Sequence, residues 1–131
     1  MKQILFVCTH NAARSQMAEA FFNSLADGKA KAISAGTMPA SQVNPAVVQA
    51  MREVGIEISN QKPKLLTLDM MEKAERVITM GCGEETTCPA SLVQTEDWKL
   101  EDPQGKSLED VRRIRDEIKS RVIGLIKALK I

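Results

Sequence analysis

Apolar and polar residues follow two alternating patterns along the 131 residues of the chain. Short, nearly continuous apolar runs predict buried β-strands, whereas apolar residues spaced three or four apart predict helices that pack on one face. Strands that alternate with helices in this way predict an α/β fold, in which helices cover both faces of a parallel sheet. The predicted strands span 2–7, 31–35, 76–80 and 91–95.

Four helices are predicted from apolar spacing and from residues that favour helix ends. In the first helix, Met17 and Phe21 fall on one apolar stripe. The second begins at Asn44-Pro45, because asparagine caps a helix and proline fits its first turn. The fourth opens at a capping box that starts with Ser107. The predicted helices span 15–26, Pro45 to a stop at Gly55, a stretch that follows Thr67, and the C-terminal stretch after Ser107.

The size and charge of the chain restrict the classes of function open to it. A length of 131 residues predicts one domain, spanning 1–131, with a self-sufficient core. Its 18 basic and 17 acidic residues give a net charge of +1, which disfavours nucleic acid and anionic membranes as partners. The sequence has neither an apolar run of transmembrane length nor a signal-peptide pattern, so a cytoplasmic protein is expected.

The segment 8–15, here called the anion loop, carries a chemical pattern. Cys8 ends the first predicted strand, and Arg14 stands where the first helix begins. A loop of this length can curl around one small anion, with backbone N–H groups and the helix N-terminus facing the same point. The guanidinium of Arg14 matches two oxygens of a phosphate-like group. The pattern predicts a tetrahedral oxyanion site formed by Thr9, His10, Asn11, Ala12, Ala13, Arg14 and Ser15.

Cys8 is the candidate nucleophile of this site. Positive surroundings favour the thiolate of a cysteine over its thiol, so we expect Cys8 to be ionised at neutral pH. The loop lacks glycine, which makes Asn11 the residue best suited to a left-handed backbone conformation. Ser15 can hydrogen-bond the Cys8 sulfur or cap the helix. The alternative interpretation is a buried strand-end cysteine beside a solvated Arg14.

Two further cysteines, Cys82 and Cys88, follow the predicted strand at 76–80. Ligands bind beyond the carboxyl ends of parallel strands. Since Cys82 and Cys88 follow such a strand, both are expected at the same edge of the sheet as Cys8. In a reducing compartment such residues serve catalysis, redox exchange or metal binding more often than static disulfides. One interpretation is a redox pair that receives oxidation from Cys8. The alternatives are a zinc site that also uses Cys8 or His10, and two unrelated buried thiols.

Asp102, in the sequence Glu101-Asp102-Pro103, is the candidate proton donor for a departing oxygen. A carboxyl beside a bound anion retains its proton more readily, because two like charges repel. The alternative is an aspartate that only caps a turn. Glu101 and Asp97 are rivals for the same role.

Together these motifs resemble the thioredoxin-coupled arsenate reductases built on the low-molecular-weight protein tyrosine phosphatase fold. The resemblance implies a three-layer α/β/α architecture with a four-stranded parallel sheet in the order 2-1-3-4. It covers nearly the whole chain. The segments that carry it are Cys8 to Ala20, Ser34-Ala35-Gly36, Gly55 to Ser59, the pair Cys82 and Cys88, Trp98, and Asp102-Pro103.

The resemblance also implies a mechanism based on three cysteines. Cys8 attacks arsenate held by the anion loop and Arg14, while Asp102 protonates the departing hydroxyl. Cys82 then attacks Cys8 and arsenite leaves, after which Cys88 attacks Cys82. Thioredoxin reduces the final disulfide, so no bound cofactor or metal is implied, and a monomer is expected. The alternative is a phosphatase that hydrolyses phosphomonoesters through a phosphocysteine at Cys8.

Two features depart from the pattern of related proteins. The tyrosine phosphatases carry aromatic residues after Asp-Pro, whereas this chain has no tyrosine and has Gln104 and Gly105 in that place. Some relatives bind potassium near the anion loop with four ligands, and Lys64 stands at the position of the acidic one. We therefore expect the Lys64 ammonium in place of a potassium ion. The other three ligand positions correspond to Asn11, Glu19 and Ser34.

Overall fold

A four-stranded parallel sheet forms the centre of the computed structural model, which describes residues 2–80 and 95–130. The strand order β2-β1-β3-β4 agrees with the order that the resemblance implied. All three strand pairings are parallel, so each chain crossover must return over a face of the sheet. The strands are β1 Lys2–Cys8, β2 Ala30–Gly36, β3 Arg76–Thr79 and β4 Thr95–Asp97.

The fourth strand lies later in the sequence than predicted. The prediction was 91–95, but β4 begins at Thr95 and pairs with β3 through Asp97. Residues 91–94 lie outside the described residues. The prediction followed apolar residues, whereas this short edge strand contains Glu96 and Asp97 and therefore lacks an apolar run.

Three of the four helices begin at residues that favour helix starts. Asn44 accepts a hydrogen bond from the backbone N–H of Ala46 at 2.9 Å and caps α2. Thr67 and Ser107 cap α3 and α4 in the same way. Gly55 follows α2 with φ +83°, a conformation in which glycine is unstrained. The helices are α1 Arg14–Leu25, α2 Pro45–Glu53, α3 Leu68–Lys73 and α4 Leu108–Leu129.

Helices cover both faces of the sheet, as the α/β prediction requires. On one face, Phe6 and Ile78 pack in a large core with apolar residues of α1, α2 and α4. On the other face, Leu5 and Val77 pack with Met71 of α3 in a smaller core. Within the described residues, no helix combines the length and apolarity needed to cross a bilayer.

The topology reverses beside β1, the strand that ends at Cys8. The chain moves from β1 to β2 on one side and then crosses to β3 on the other. In parallel sheets this reversal opens a crevice at the carboxyl ends of the strands, where ligands bind. Cys8 therefore lies at the position in the fold that is best suited to a ligand.

Candidate active site

A cleft of about 380 Å³ opens at the carboxyl end of β1. It brings together Cys8, Arg14 and Asp102, three residues that the sequence singled out for one site. Among the described residues, no Phe, Tyr or Trp lines the cleft. The lining residues are Cys8, His10, Ala12, Ala13, Arg14, Ala40, Ser41, Gln42, Asn44, Pro45, Asp102 and Gln104.

Five carbonyl groups of the anion loop accept hydrogen bonds from other groups of the chain. Three of them accept backbone hydrogen bonds of 2.8–2.9 Å from residues 38, 40 and 44. Two more accept hydrogen bonds from residues at the start of α1, one from the backbone N–H of Met17 and one from the side-chain amide of Gln16. In a trans peptide unit the N–H points opposite to the C=O, so the N–H groups that follow these carbonyls face the concave side. The five carbonyls belong to Thr9, His10, Asn11, Ala12 and Ala13.

The start of α1 adds further donors to the same point. Its N-cap is Ala13, whose side chain makes no capping hydrogen bond. The first N–H groups of a helix have no intrahelical acceptors. Together with the loop amides they form a positive nest, which fits the oxyanion site predicted from the spacing of Cys8 and Arg14.

The Cys8 sulfur lies at the base of this nest and is only 4% exposed. The backbone N–H of Asn11 donates to Sγ at 3.2 Å, and the Ser15 hydroxyl lies 2.8 Å from Sγ. Asn11 has φ 51°, so the prediction that it takes the left-handed position is confirmed. Of the two roles considered for Ser15, the structure shows the contact with Cys8.

The contacts of the Asn11 amide fix its orientation beside Ser15. The backbone N–H of Lys64 can only donate, and it contacts Asn11 Oδ1 at 2.8 Å. Asn11 Nδ2 therefore faces Ser15 Oγ, to which it donates at 2.7 Å. A thiolate can only accept, so the Ser15 hydroxyl donates to Sγ when Cys8 is ionised. In that state the Asn11 N–H and the Ser15 hydroxyl both stabilise the negative charge on the sulfur.

Arg14 connects the anion loop to two other parts of the site. It is 8% exposed, and its Nη1 donates to the carbonyl of Met80 at 2.5 Å and to that of Leu100 at 2.9 Å. Its Nη2 lies 3.9 Å from Asp102 Oδ2 in the cleft. The alternative of a solvated arginine is therefore wrong, because burial and two carbonyls fix the guanidinium.

Asp102 caps a turn and also lines the cleft, whereas its role as proton donor stays a prediction. Its Oδ1 accepts a hydrogen bond from the N–H of Gln104 at 3.0 Å, which closes a turn. Its Oδ2 faces Arg14, and the residue lines the cleft. The carboxyl thus has a fixed position at the cleft wall.

The two rivals of Asp102 are directed elsewhere. Glu101 pairs with Lys106 at 2.9 Å and with Arg113 at 3.1 Å. Hydrogen bonds from these two cations, with that from Lys106 the larger effect, lower the pKa of Glu101, so it holds a proton poorly. Asp97 accepts a hydrogen bond from the N–H of Lys99. Neither carboxyl lines the cleft.

The segment 37–44 supports the anion loop and is not predicted from the sequence. Met38, Ala40 and Asn44 donate backbone hydrogen bonds to the loop, and His10 Nδ1 donates to the Met38 carbonyl at 3.1 Å. Every residue except proline has a backbone N–H, so residue type carries little signal for such donors. Asn44-Pro45 is the one local signal in this segment, and it predicts a helix start.

Comparison with known proteins places the chain in a family. The family model for low molecular weight phosphotyrosine protein phosphatase matches residues 3–131. The chain belongs to this family. A relative from Synechocystis sp., named glutaredoxin arsenate reductase, is 42% identical over 96% of this chain and 97% of the relative. The resemblance to arsenate reductases of the low-molecular-weight phosphatase fold is thus confirmed.

Two solved structures show that the family includes both reductases and phosphatases. A thioredoxin-dependent arsenate reductase from Corynebacterium glutamicum is 37% identical, with a TM-score of 0.82, over 99% of this chain and 62% of that chain. The YwlE arginine phosphatase, solved as a mutant with a phosphorylated active-site serine, is 30% identical. Its TM-score is 0.87, over 98% of this chain and 95% of that chain. The shared fold therefore does not separate the two activities.

Cys82 and Cys88 lie outside the described residues. Their pairing, and the alternatives of a zinc site or unrelated thiols, stay predictions. Met80 is the last described residue before these cysteines, and its carbonyl accepts a hydrogen bond from Arg14.

The position of Lys64 bears on the potassium site that some members of this family use. Lys64 Nζ lies 3.7 Å from Glu19 Oε1, and the Ser34 hydroxyl donates to the same oxygen at 3.0 Å. Glu19 is 9% exposed, and the Lys64 ammonium is the cation that faces its carboxylate among the described residues. The replacement of a potassium ion by Lys64 stays a prediction.

Proposed function

We propose that this chain reduces arsenate to arsenite through sequential reactions of Cys8, Cys82 and Cys88. The observation that carries the proposal is the position of the Cys8 sulfur, which lies within hydrogen-bond distance of Asn11 N and Ser15 Oγ at the base of the anion loop. Arsenate is a tetrahedral oxyanion, and such an anion fits a nest of loop amides beside a guanidinium. The names of the relatives support arsenate as the anion.

The first step joins sulfur to arsenic. The Cys8 thiolate attacks arsenic(V), and an arsenic–oxygen bond breaks as Asp102 gives its proton to the departing oxygen, which leaves as water. Arg14 and the loop amides neutralise the charge on the remaining oxygens. The product is a covalent adduct in which arsenic is still pentavalent.

The second step transfers two electrons. The Cys82 thiolate attacks Cys8 Sγ, a sulfur–sulfur bond forms, and the electron pair of the sulfur–arsenic bond passes to arsenic, which leaves as arsenite. Cys88 then attacks Cys82 and releases Cys8 as a thiolate. Each exchange requires a thiolate with access to the sulfur that it attacks.

The remaining Cys82–Cys88 disulfide requires an external dithiol. We propose thioredoxin, in a cytoplasmic reaction by a monomer that holds no cofactor. A thioredoxin-dependent structural neighbour supports this choice, whereas the name of the Synechocystis relative points to glutaredoxin. The two donors are therefore compared directly in the test.

Hydrolysis of phosphomonoesters is the second candidate function. The loop that fits arsenate also fits phosphate, and an arginine phosphatase shares the fold. Against this candidate, Cys82 and Cys88 would have no role in hydrolysis. In addition, the described part of the cleft has no Phe, Tyr or Trp against which a phosphotyrosine ring could pack.

A coupled assay separates these possibilities. Arsenate, NADPH, thioredoxin and thioredoxin reductase should give NADPH oxidation with the wild type and none above background with Cys82→Ser or Cys88→Ser. A parallel series with glutaredoxin, glutathione and glutathione reductase identifies the donor. Hydrolysis of a phosphomonoester that persists in Cys82→Ser, without arsenate-dependent NADPH oxidation in the wild type, would instead establish the phosphatase.

A further inference from the structure

We infer that Gln16 is a positioning residue of the oxyanion site, which acts through the left-handed Asn11. Gln16 lies in the first turn of α1 and is fully buried. It does not line the cleft, so it has no direct contact with the bound anion. Its influence on the site must pass through the residues that it holds.

The Gln16 amide nitrogen donates hydrogen bonds to three acceptors. Nε2 lies 3.1 Å from the carbonyl oxygen of Asn11, 3.1 Å from Asn11 Oδ1 and 3.2 Å from the carbonyl oxygen of Lys62. All three partners are acceptors, which fixes the amide with its nitrogen on that side. Two of the three belong to Asn11, so Gln16 holds both the backbone and the side chain of that residue.

Asn11 gains from such support because of its backbone conformation. Its φ of 51° lies in the left-handed region, which asparagine tolerates better than most residues but which only glycine enters without cost. Strained residues persist where surrounding contacts overdetermine them. The Asn11 N–H donates to Cys8 Sγ, so a change in this backbone would turn away a donor from the sulfur and displace the neighbouring amides.

The contacts of Gln16 also preserve the hydrogen-bond direction that ends at Cys8. Asn11 Oδ1 accepts from both Gln16 Nε2 and the Lys64 N–H. These two donors keep Asn11 Nδ2 directed at Ser15 Oγ. Without Gln16, the Lys64 N–H would be the one donor left on Asn11 Oδ1 among the described residues.

Gln16 should therefore affect anion affinity only when residue 11 requires support. Glycine enters the left-handed region without strain, so Asn11→Gly removes both that requirement and the side chain that Gln16 holds. If Gln16 acts through Asn11, the effects of changing the two residues will not add. If Gln16 only stabilises the fold or the segment at Lys62, they will add.

The test is a double-mutant cycle of Gln16→Met and Asn11→Gly, read by calorimetric titration with inorganic phosphate. Methionine keeps the volume of glutamine and removes its amide. We expect Gln16→Met to raise the phosphate Kd about tenfold in the wild-type background, which corresponds to about 1.4 kcal/mol. In the Asn11→Gly background the same substitution should raise the Kd less than about twofold.

Asn23→Leu is the matched control. Asn23 is on the same helix, and its amide makes two hydrogen bonds to the backbone of Ala32, away from the loop. It should lower the thermal midpoint and leave the phosphate Kd unchanged. If circular dichroism shows that Gln16→Met does not fold, Gln16→Glu, of equal size and without the amide donor, is measured in its place.

The results separate this inference from the proposed function on which it rests. Additive effects in the cycle, or a folded Gln16 variant with wild-type phosphate affinity, overturn the role of Gln16 and leave arsenate reduction intact. A wild type that does not bind phosphate contradicts both. Phosphate titration involves no electron transfer, so the absence of arsenate turnover alone would count only against the proposed function.

Discussion

Two polar groups among the described residues lie within hydrogen-bond distance of the Cys8 sulfur. The Asn11 N–H donates to it, and the Ser15 hydroxyl donates to it when Cys8 is a thiolate, which can only accept. Hydrogen bonds to a charged group are stronger than those to a neutral one, so both donors favour the thiolate that attacks the oxyanion.

Ser15→Ala removes the hydroxyl donor to Cys8 and leaves the loop amides. We expect kcat for arsenate to fall about tenfold, since the loss of one charge-assisted hydrogen bond of about 1.4 kcal/mol changes a rate by that factor. Pre-steady-state measurement of the first turnover provides the value. The control is Ser24→Ala, an exposed serine on the same helix, which should behave as the wild type. An unchanged rate in Ser15→Ala would contradict the role of the hydroxyl.

The contact between the Lys64 ammonium and Glu19 leads to a prediction about how the activity responds to potassium. Because the Lys64 ammonium faces Glu19 at 3.7 Å, the wild type should turn over equally in sodium and potassium salts of the same ionic strength. Lys64→Met leaves the carboxylate of Glu19 without its cation and should lower kcat/KM by about tenfold, the equivalent of about 1.4 kcal/mol. Clear activation of the wild type by potassium would refute this account.

The sequence predicted some residue contacts and missed others for a physical reason. Asn11 was identifiable because few residues other than glycine tolerate a left-handed backbone. The bonds from Arg14 to the carbonyls of Met80 and Leu100 were not predictable, because every residue has a carbonyl group. Such contacts depend on the fold, and residue type does not indicate which carbonyl groups will make them.

At the scale of elements, the anion loop takes its shape from the strands and segments around it. Gly36 ends β2 beside Cys8, where β1 and β2 are paired. A Cβ at this position would lie 2.5 Å from the Thr9 carbonyl oxygen and 2.9 Å from the Asn11 nitrogen. The absence of a side chain at Gly36 therefore allows the loop to pass close to β2.

Gly36→Ala should displace the anion loop. Both close atoms are backbone, so the added methyl cannot be accommodated by a side-chain rotation. We expect a loss of about 1–3 kcal/mol in the free energy of unfolding, as for other overpacked sites, together with weaker phosphate binding. Urea denaturation and phosphate titration measure the two effects.

Gly124→Ala is the control for this substitution. Gly124 lies within α4, and a Cβ there would meet no atom within 4 Å. Alanine favours a helix interior over glycine by about 1 kcal/mol, so this variant should be more stable than the wild type. If both alanine variants behaved alike, the close approach at Gly36 would not matter.

The elements differ in how clearly the sequence defined them. The capped helix starts and the buried strands were predicted, because caps and apolar runs are local signals. The edge strand β4 was placed too early, since its pairing with β3 depends on a contact distant in sequence. The hydrogen bonds from segment 37–44 to the anion loop likewise join residues that are distant in sequence.

At the scale of the whole molecule, one fold serves two chemistries. The parallel sheet, the crevice beside β1 and the anion loop fit either a phosphatase or an arsenate reductase, and solved structures named for each activity share the fold. In the proposed function the distinction rests on Cys82 and Cys88, which would give the Cys8 adduct a route to disulfide formation. The central claim is therefore that electrons reach arsenic from these thiols.

A single-turnover experiment without any external reductant tests this claim most directly. Reduced protein is mixed with excess arsenate, the arsenite released is quantified, and the disulfides are mapped by mass spectrometry. The wild type should release arsenite in a stoichiometric amount and end with a Cys82–Cys88 disulfide. Cys88→Ser should release the same amount and stop at Cys8–Cys82, whereas Cys82→Ser should release none. Stoichiometric arsenite from Cys82→Ser, or none from the wild type, would contradict the three-cysteine mechanism.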